Sequence, residues 1–153
     1  VTITDGTNEL YIYNASNLYK GCGNLTDTFI CNPALITNAP GGYDPMRYCV
    51  NMSNTFYSCY NFNQPVTIPD SVVNMYHTFD ECQNFNQLVA IPDSVTDMLG
   101  AFYFCINLNQ PVVIPDSVTN MQQTFRDCWR LNSPVTIGNN VTNMYGTFCY
   151  CYN

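Results

Sequence analysis

The chain has 153 residues, 46% of them apolar and 10% charged, with 11 acidic against 4 basic side chains and a net charge of -7. That apolar content supports a packed core and excludes a disordered chain, while the acidic balance opposes binding to nucleic acid. No stretch approaches the roughly 20 consecutive apolar residues of a membrane-spanning helix, so no membrane insertion is expected, and position 1 is Val rather than Met, as after processing or trimming.

In chain order, VTITDGTNELYIYN reads as two alternating strands around Asp5-Gly6, a hairpin turn dipeptide. Residues 1–23 are therefore expected to form an N-terminal β-hairpin cap over the apolar end of the first coil. Residues 24–50 read as that coil in degenerate form: Leu25 and Phe29 match positions repeated downstream, and NPALITNAPGGYDP is a Pro- and Gly-rich loop insertion.

From residue 51 to 153 the sequence repeats with a period of 23 residues, in four full units and a partial fifth. Met52, Met75, Met98 and Met121 hold one register, and Phe56, Phe79, Phe102, Phe125 and Phe148 a second. Cys59, Cys82, Cys105, Cys128 and Cys151 form a third, with further registers of Val, Ile and the asparagines Asn63, Asn86, Asn109 and Asn132. One unit this short cannot bury its apolar face alone, whereas units stacked flank to flank make a continuous core of these columns. Within a unit, Pro65 to Ile68 alternates and is β-branched, as in a short strand, Pro69-Asp70-Ser71 supplies a turn, and Val72 to Met75 reads as a second extended piece. Met75, Phe79 and Cys82, spaced i, i+4, i+7, predict a short helical or 3-10 segment. The repeated Asn is expected to bond the main chain of the next unit.

Several features bear on chemistry. Stacked cysteines point the same way, so the column is expected to hold free thiols acting as small hydrophobes, while Cys22, Cys31 and Cys49, off the register near the cap and loop, are the candidates for disulfides. Asp70, Asp93 and Asp116 share a register, but Asp between Pro and Ser is ordinary turn chemistry, and no metal or other cofactor is expected. His77 is the only histidine and no glycine-rich phosphate loop occurs, which leaves no basis for an enzyme. Asn14, Asn24, Asn51 and Asn140 each open an Asn-x-Ser/Thr acceptor triplet, which leans toward an extracellular or virion surface.

Around the recurring Phe and Cys, neighbouring residues change from unit to unit. Tyr57, Tyr60, Tyr76, His77, Tyr103, Phe104, Ile106, Arg126, Trp129, Arg130, Tyr150 and Tyr152 are expected to gather on one outer face. Tyr, Trp and Arg dominate interface hot spots, and aromatic rings also suit the apolar faces of sugars.

The unit IPDSVTNM-x-x-x-F-x-x-C-x-x-L/F resembles the BspA-type leucine-rich repeat, and FNQP with VTNM and F-x-x-C is similar to related surface-protein repeats of bacterial lipoproteins. The likeness covers about two thirds of the chain and departs from the family in having Met where many members have Ile, and Gly138-Asn139-Asn140 where the other units here have Pro-Asp-Ser. It implies an extracellular, non-enzymatic binding or adhesion module of bacteria, some protists and viruses. The expected fold is a β-rich α/β solenoid, a right-handed leucine-rich-repeat stack. The expected function is recognition of protein or carbohydrate on a cell or virion surface through the variable face. The alternative is a structural subunit of a surface or virion fibre, self-associating end to end, since the fifth unit breaks off after its cysteine.

Overall fold

The computed structural model describes residues 12–23 and 46–153. Two short parallel strands, β1 (Val112–Val113) and β2 (Val135–Thr136), form the one named sheet among these residues, with Val112 opposite Val135 and Val113 opposite Thr136. Elsewhere successive repeats meet through isolated parallel bridges, Asn14 to Asn51, Asn51 to Asn74, Asn74 to Asp97, Asp97 to Asn120 and Asn120 to Asn143. The rest is turn and irregular backbone around a stacked aromatic core.

The segment predicted as helical is not a helix, and the described residues contain none. Its backbone instead carries a positive φ two and six residues after each methionine position: Asn54 and Ser58, His77 and Glu81, Gly100 and Phe104, Gln123 and Asp127, Gly146 and Tyr150. Each is the third residue of a hydrogen-bonded four-residue turn, as Thr78 N–H to Met75 O (3.2 Å) and Cys82 N–H to Phe79 O (3.0 Å) illustrate, and a positive φ there is the mark of a type II turn. Left-handed geometry at a residue other than glycine costs about 1–2 kcal/mol. What offsets it is the direction it gives the intervening amides: Met75, His77, Phe79 and Glu81 donate to Asp97, Leu99, Ala101 and Tyr103 in the next repeat, all at 2.8–2.9 Å. A helix would have sent those amides back along its own axis.

Three side-chain columns complete this ladder. The residue before each methionine position is Asn or Asp because its side-chain oxygen accepts the amide two residues on, from Asn14 to Ser16 through Asn143 to Tyr145. Buried Thr55, Thr78, Thr124 and Thr147 donate to the carbonyl of the methionine position one repeat back, which for Thr55 is Ala15. The expected asparagine contact is also present, with Asn63, Asn86 and Asn109 accepting from the amides of Asn86, Asn109 and Asn132 at 2.8–2.9 Å.

The phenylalanines lie face over face: Phe56, Phe79, Phe102, Phe125 and Phe148 have successive centroids 5.2, 5.3, 5.6 and 5.6 Å apart, with ring planes within 8°. Phe62 and Phe85 stack beside them, and Met52, Met75, Met98 and Met121 are fully buried. Phe148 departs from the expected core, being 39% exposed, and Cys151 is half-buried, because a column member is covered on both faces only where it has a neighbour on each side.

In the N-terminal part, Tyr19 stacks on Phe56 (5.7 Å) and Ala15 stands in the methionine register, so Asn14–Gly23 forms a further rung of the stack. Leu25, Phe29 and the Asp5-Gly6 hairpin lie outside the described residues. The short strand expected at Pro65 to Ile68 is irregular there and appears as strand only in the equivalent positions of β1 and β2.

Candidate recognition surface

The cysteine column is built for structure. Cys59, Cys82, Cys105, Cys128 and Cys151 donate their thiols to the carbonyls of Tyr19, Phe56, Phe79, Phe102 and Phe125 at 3.0–3.1 Å. Burial holds the Cys82, Cys105 and Cys128 thiols well above their ordinary range and pushes Cys59 up to about 11, which removes the thiolate that reactive cysteines need. Neither described candidate, Cys22 or Cys49, forms a disulfide among the described residues. Cys22 proves to be the next member of the column, three residues after Tyr19 as Cys59 is after Phe56, and Cys49 is buried with its thiol on Asn51 O at 3.4 Å. Cys31 lies outside the described residues, as does the acceptor asparagine Asn24. Of the other acceptors, Asn14 and Asn140 are exposed, Asn51 is half-buried and bound to Ser53, and the Asn140 amide donates to Asp116 O at 2.9 Å.

The outer positions follow from the turns. Each of the twelve residues proposed for the variable face lies at a central residue of one of these turns or in the stretch just after the cysteine, and each is half-buried or exposed. They fall into two groups. In the first, Glu81 accepts from Ser58 (2.6 Å) and from the Tyr60 hydroxyl (3.3 Å), and Lys20 lies 4.7 Å from the Tyr57 ring. The charges of Glu81 and then Asp80 raise the Tyr57 phenol above its ordinary value. His77 bonds Asp80 through Nδ1 at 2.5 Å and has Tyr76 edge-on at 4.2 Å. Its ring lies where only a glycine fits: a Cβ on Gly100, whose φ is +60°, would come within 2.5 Å of His77 Cε1.

The second group is aromatic and cationic. Tyr103, Phe104, Trp129, Tyr152 and Tyr150 form a run of ring contacts with centroids 6.3, 5.6, 6.4 and 6.4 Å apart. Arg126 reaches over two of these rings, 5.9 Å from Tyr103 and 5.4 Å from Tyr150, with Asp127 beside it at 3.5 Å. Arg130 is exposed, and Ile106 is half-buried in the register of Trp129.

The repeat registers, the bridges and the phenylalanine column coincide with the stretch matched by the model of a family described as Mycoplasma protein of unknown function, DUF285, at residues 50–153. The chain belongs to this family. DUF285 is related to bacterial surface repeat proteins. Comparisons with curated proteins and with solved structures return no match.

In this DUF285 chain one variable position does not face outward. Asp80 is 3% exposed, its Oδ1 has no hydrogen-bond partner, and burial raises its carboxyl above the ordinary value despite the opposing pull of His77. Nothing in an Asp-Glu dipeptide marks one acid as buried. The signal lay in the next repeat, where Gly100 makes room for the His77 ring and Ala101 stands where the other repeats have threonine.

Proposed function

We propose that the chain is a right-handed solenoid of the leucine-rich-repeat kind, displayed on a cell or virion surface, that binds protein or carbohydrate through its variable face without catalysing a reaction. The observation carrying this reading is the division of each repeat. Side chains in the Met, Phe, Thr and Cys columns recur because each rests on its counterpart, whereas the registers that hold Tyr103, Phe104, Trp129, Tyr150 and Tyr152 change from unit to unit among aromatic, acidic, basic and small side chains and form no continuous column. Trp129, Tyr150 and Tyr152 are 40%, 53% and 71% exposed, and a contiguous exposed aromatic patch marks a contact surface. The sole histidine is tied to Asp80 rather than to a nucleophile, which supports the non-enzymatic reading.

The test is adhesion of the purified chain to fixed host cells and to arrays of glycans and proteins. Trp129→Ala and Tyr103→Ala should each weaken binding by about 2 kcal/mol, roughly thirtyfold, with unchanged thermal unfolding. Adhesion that survives both substitutions rejects the reading. Filaments in electron micrographs, with the first repeat of one molecule seated on the last of another, would favour a structural subunit instead.

A further inference from the structure

We propose that the Arg126 end of the variable face takes an acidic saccharide, a sugar chain carrying carboxylates; this rests on the recognition reading and narrows its ligand. The first support is the distribution of charge. The whole chain carries -7 with 4 basic residues, and two of those four, Arg126 and Arg130, stand on one rung, while Asp80 and Glu81 lie one rung beyond the adjacent Tyr103–Phe104 rung. Lys20, Arg47 and Arg126 each lie over tyrosine rings, and Arg130 is the basic residue whose side chain has no partner among the described residues. Asp127 is the acid of that rung. Its side chain is 16% exposed and already engaged, by Arg126 at 3.5 Å and by Trp129 Nε1 at 3.4 Å. A local cationic end on an acidic protein complements an anion and does not attract one to the remaining surface.

The second support is the chemistry around the guanidiniums. The Phe104–Trp129–Tyr152–Tyr150 run offers ring faces and edges, on which the C–H faces of a pyranose stack. The phenols of Tyr103, Tyr150 and Tyr152 have no hydrogen-bond partner among the described residues, and each can donate to or accept from a sugar hydroxyl. Arg126, steadied between Tyr103 and Tyr150, keeps its terminal nitrogens for the paired hydrogen bonds a carboxylate accepts. Ile106 is the one aliphatic member of the group and is half-buried, so the outer contacts are rings, hydroxyls and cations. An apolar protein anchor would find little aliphatic surface to meet.

The experiment is calorimetric titration of the full chain with sialyllactose and with a hyaluronan tetrasaccharide. The controls are lactose, the carboxyl-reduced tetrasaccharide and a polyglutamate peptide. At least one acidic sugar should bind about tenfold more tightly than its neutral counterpart, the strength of a charge-assisted over a neutral contact. That advantage should shrink as salt is added. Arg130→Gln, at a side chain with no hydrogen bond or ion pair among the described residues, and Arg126→Gln should each erode the ratio, and Trp129→Ala should weaken acidic and neutral sugars alike. No saturable binding, equal binding of acidic and neutral forms, or tighter binding of polyglutamate overturns the proposal. Host-cell adhesion that is lost in Trp129→Ala and Tyr103→Ala but indifferent to carboxyl reduction sinks this inference alone. Adhesion untouched by those substitutions sinks the recognition reading with it.

Discussion

Inside the stack and along its outer edge, the same 23-residue period has opposite consequences. Phe79 lies 5.2 Å from Phe56 and 5.3 Å from Phe102, each nearly parallel to it, so its size and shape are dictated by its own counterparts. The positions around it, Asp80, Tyr103 and Arg126 in successive repeats, share a place in the backbone and little else. An interior column is selected by its neighbours in the fold. The outer residues are free of that demand, and their identity reports on something other than folding. Substitutions that cost stability should therefore fall on the columns, and those that cost binding on the edge.

The sharpest way to break that division is Phe79→Ala. Phe79 is fully buried against Phe56, Phe85 and Phe102, and truncating such a ring typically costs roughly 3–5 kcal/mol in transfer and cavity terms together. Denaturant unfolding should show a loss of that order. A loss below about 1 kcal/mol would mean the column is not the core. Cys105→Ala comes next, at about 1–2 kcal/mol, since it removes a buried small hydrophobe and the weak donor to Phe79 O. Thiol labelling supplies a parallel readout. Exposed Cys22 and Cys149 should react at once in the folded chain, while Cys82, Cys105 and Cys128, held protonated by burial, should react only as it unfolds.

These columns were legible because the registers recur without a gap from Met52 onward, and only stacking satisfies so many at once. The conformation between them was not. An i, i+4, i+7 spacing fits two turns of helix, and it equally fits two successive four-residue turns, because both advance the chain by about four residues between inward positions. Positive φ at Ser58, Glu81, Phe104 and Tyr150 has no signature in residue type, since it is enforced by hydrogen bonds to the next repeat. Gly100 and Gly146, at the equivalent early turn position, were the available hint. The rung at Asn14–Gly23 escaped notice for a different reason. Ala15 and Tyr19 stand where Met and Phe stand elsewhere, and more than one period of chain separates them from Met52. On the outer face the aromatic positions are half-buried or exposed, and the contacts that join Arg126 to Tyr103 and Tyr150 depend on side-chain reach across repeats.

Asp80 is the position where the division blurs, and its titration can sharpen it. Its folded carboxyl has a raised pKa, first from burial, so the folded chain binds that proton more tightly than the unfolded chain does. The associated stability is present when pH falls to the ordinary carboxyl range and is lost as pH rises through the folded value. At neutral pH the buried charge with its unpaired Oδ1 is a net burden. Asp80→Asn keeps a polar contact to His77 without the charge and should gain about 1 kcal/mol at neutral pH. Thermal unfolding from neutral toward acid pH should then show a smaller rise in stability than in the unsubstituted chain. A destabilised Asp80→Asn variant would show instead that the His77–Asp80 contact outweighs the cost of burial.

The smallest expected effect is the one that tests the outer edge directly. Trp129 is 40% exposed, its indole N–H reaches Asp127 at 3.4 Å, and its ring meets Phe104 edge-on and Tyr152 at a tilt. An edge-on aromatic contact at a surface gives back little when lost, because water replaces it without leaving a cavity, and exposed substitutions away from buried features usually stay within about 0.5 kcal/mol. Trp129→Ala should leave the unfolding midpoint within that margin while Phe79→Ala, fifty residues earlier and at the centre of the column, collapses it. If Trp129→Ala unfolds the chain as readily, the aromatic edge is part of the scaffold, and the argument that its residues answer to a ligand fails with it. If stability holds, a tryptophan and its neighbouring tyrosines sit exposed on an otherwise economical repeat for no structural gain, which is the condition under which binding is left as their function.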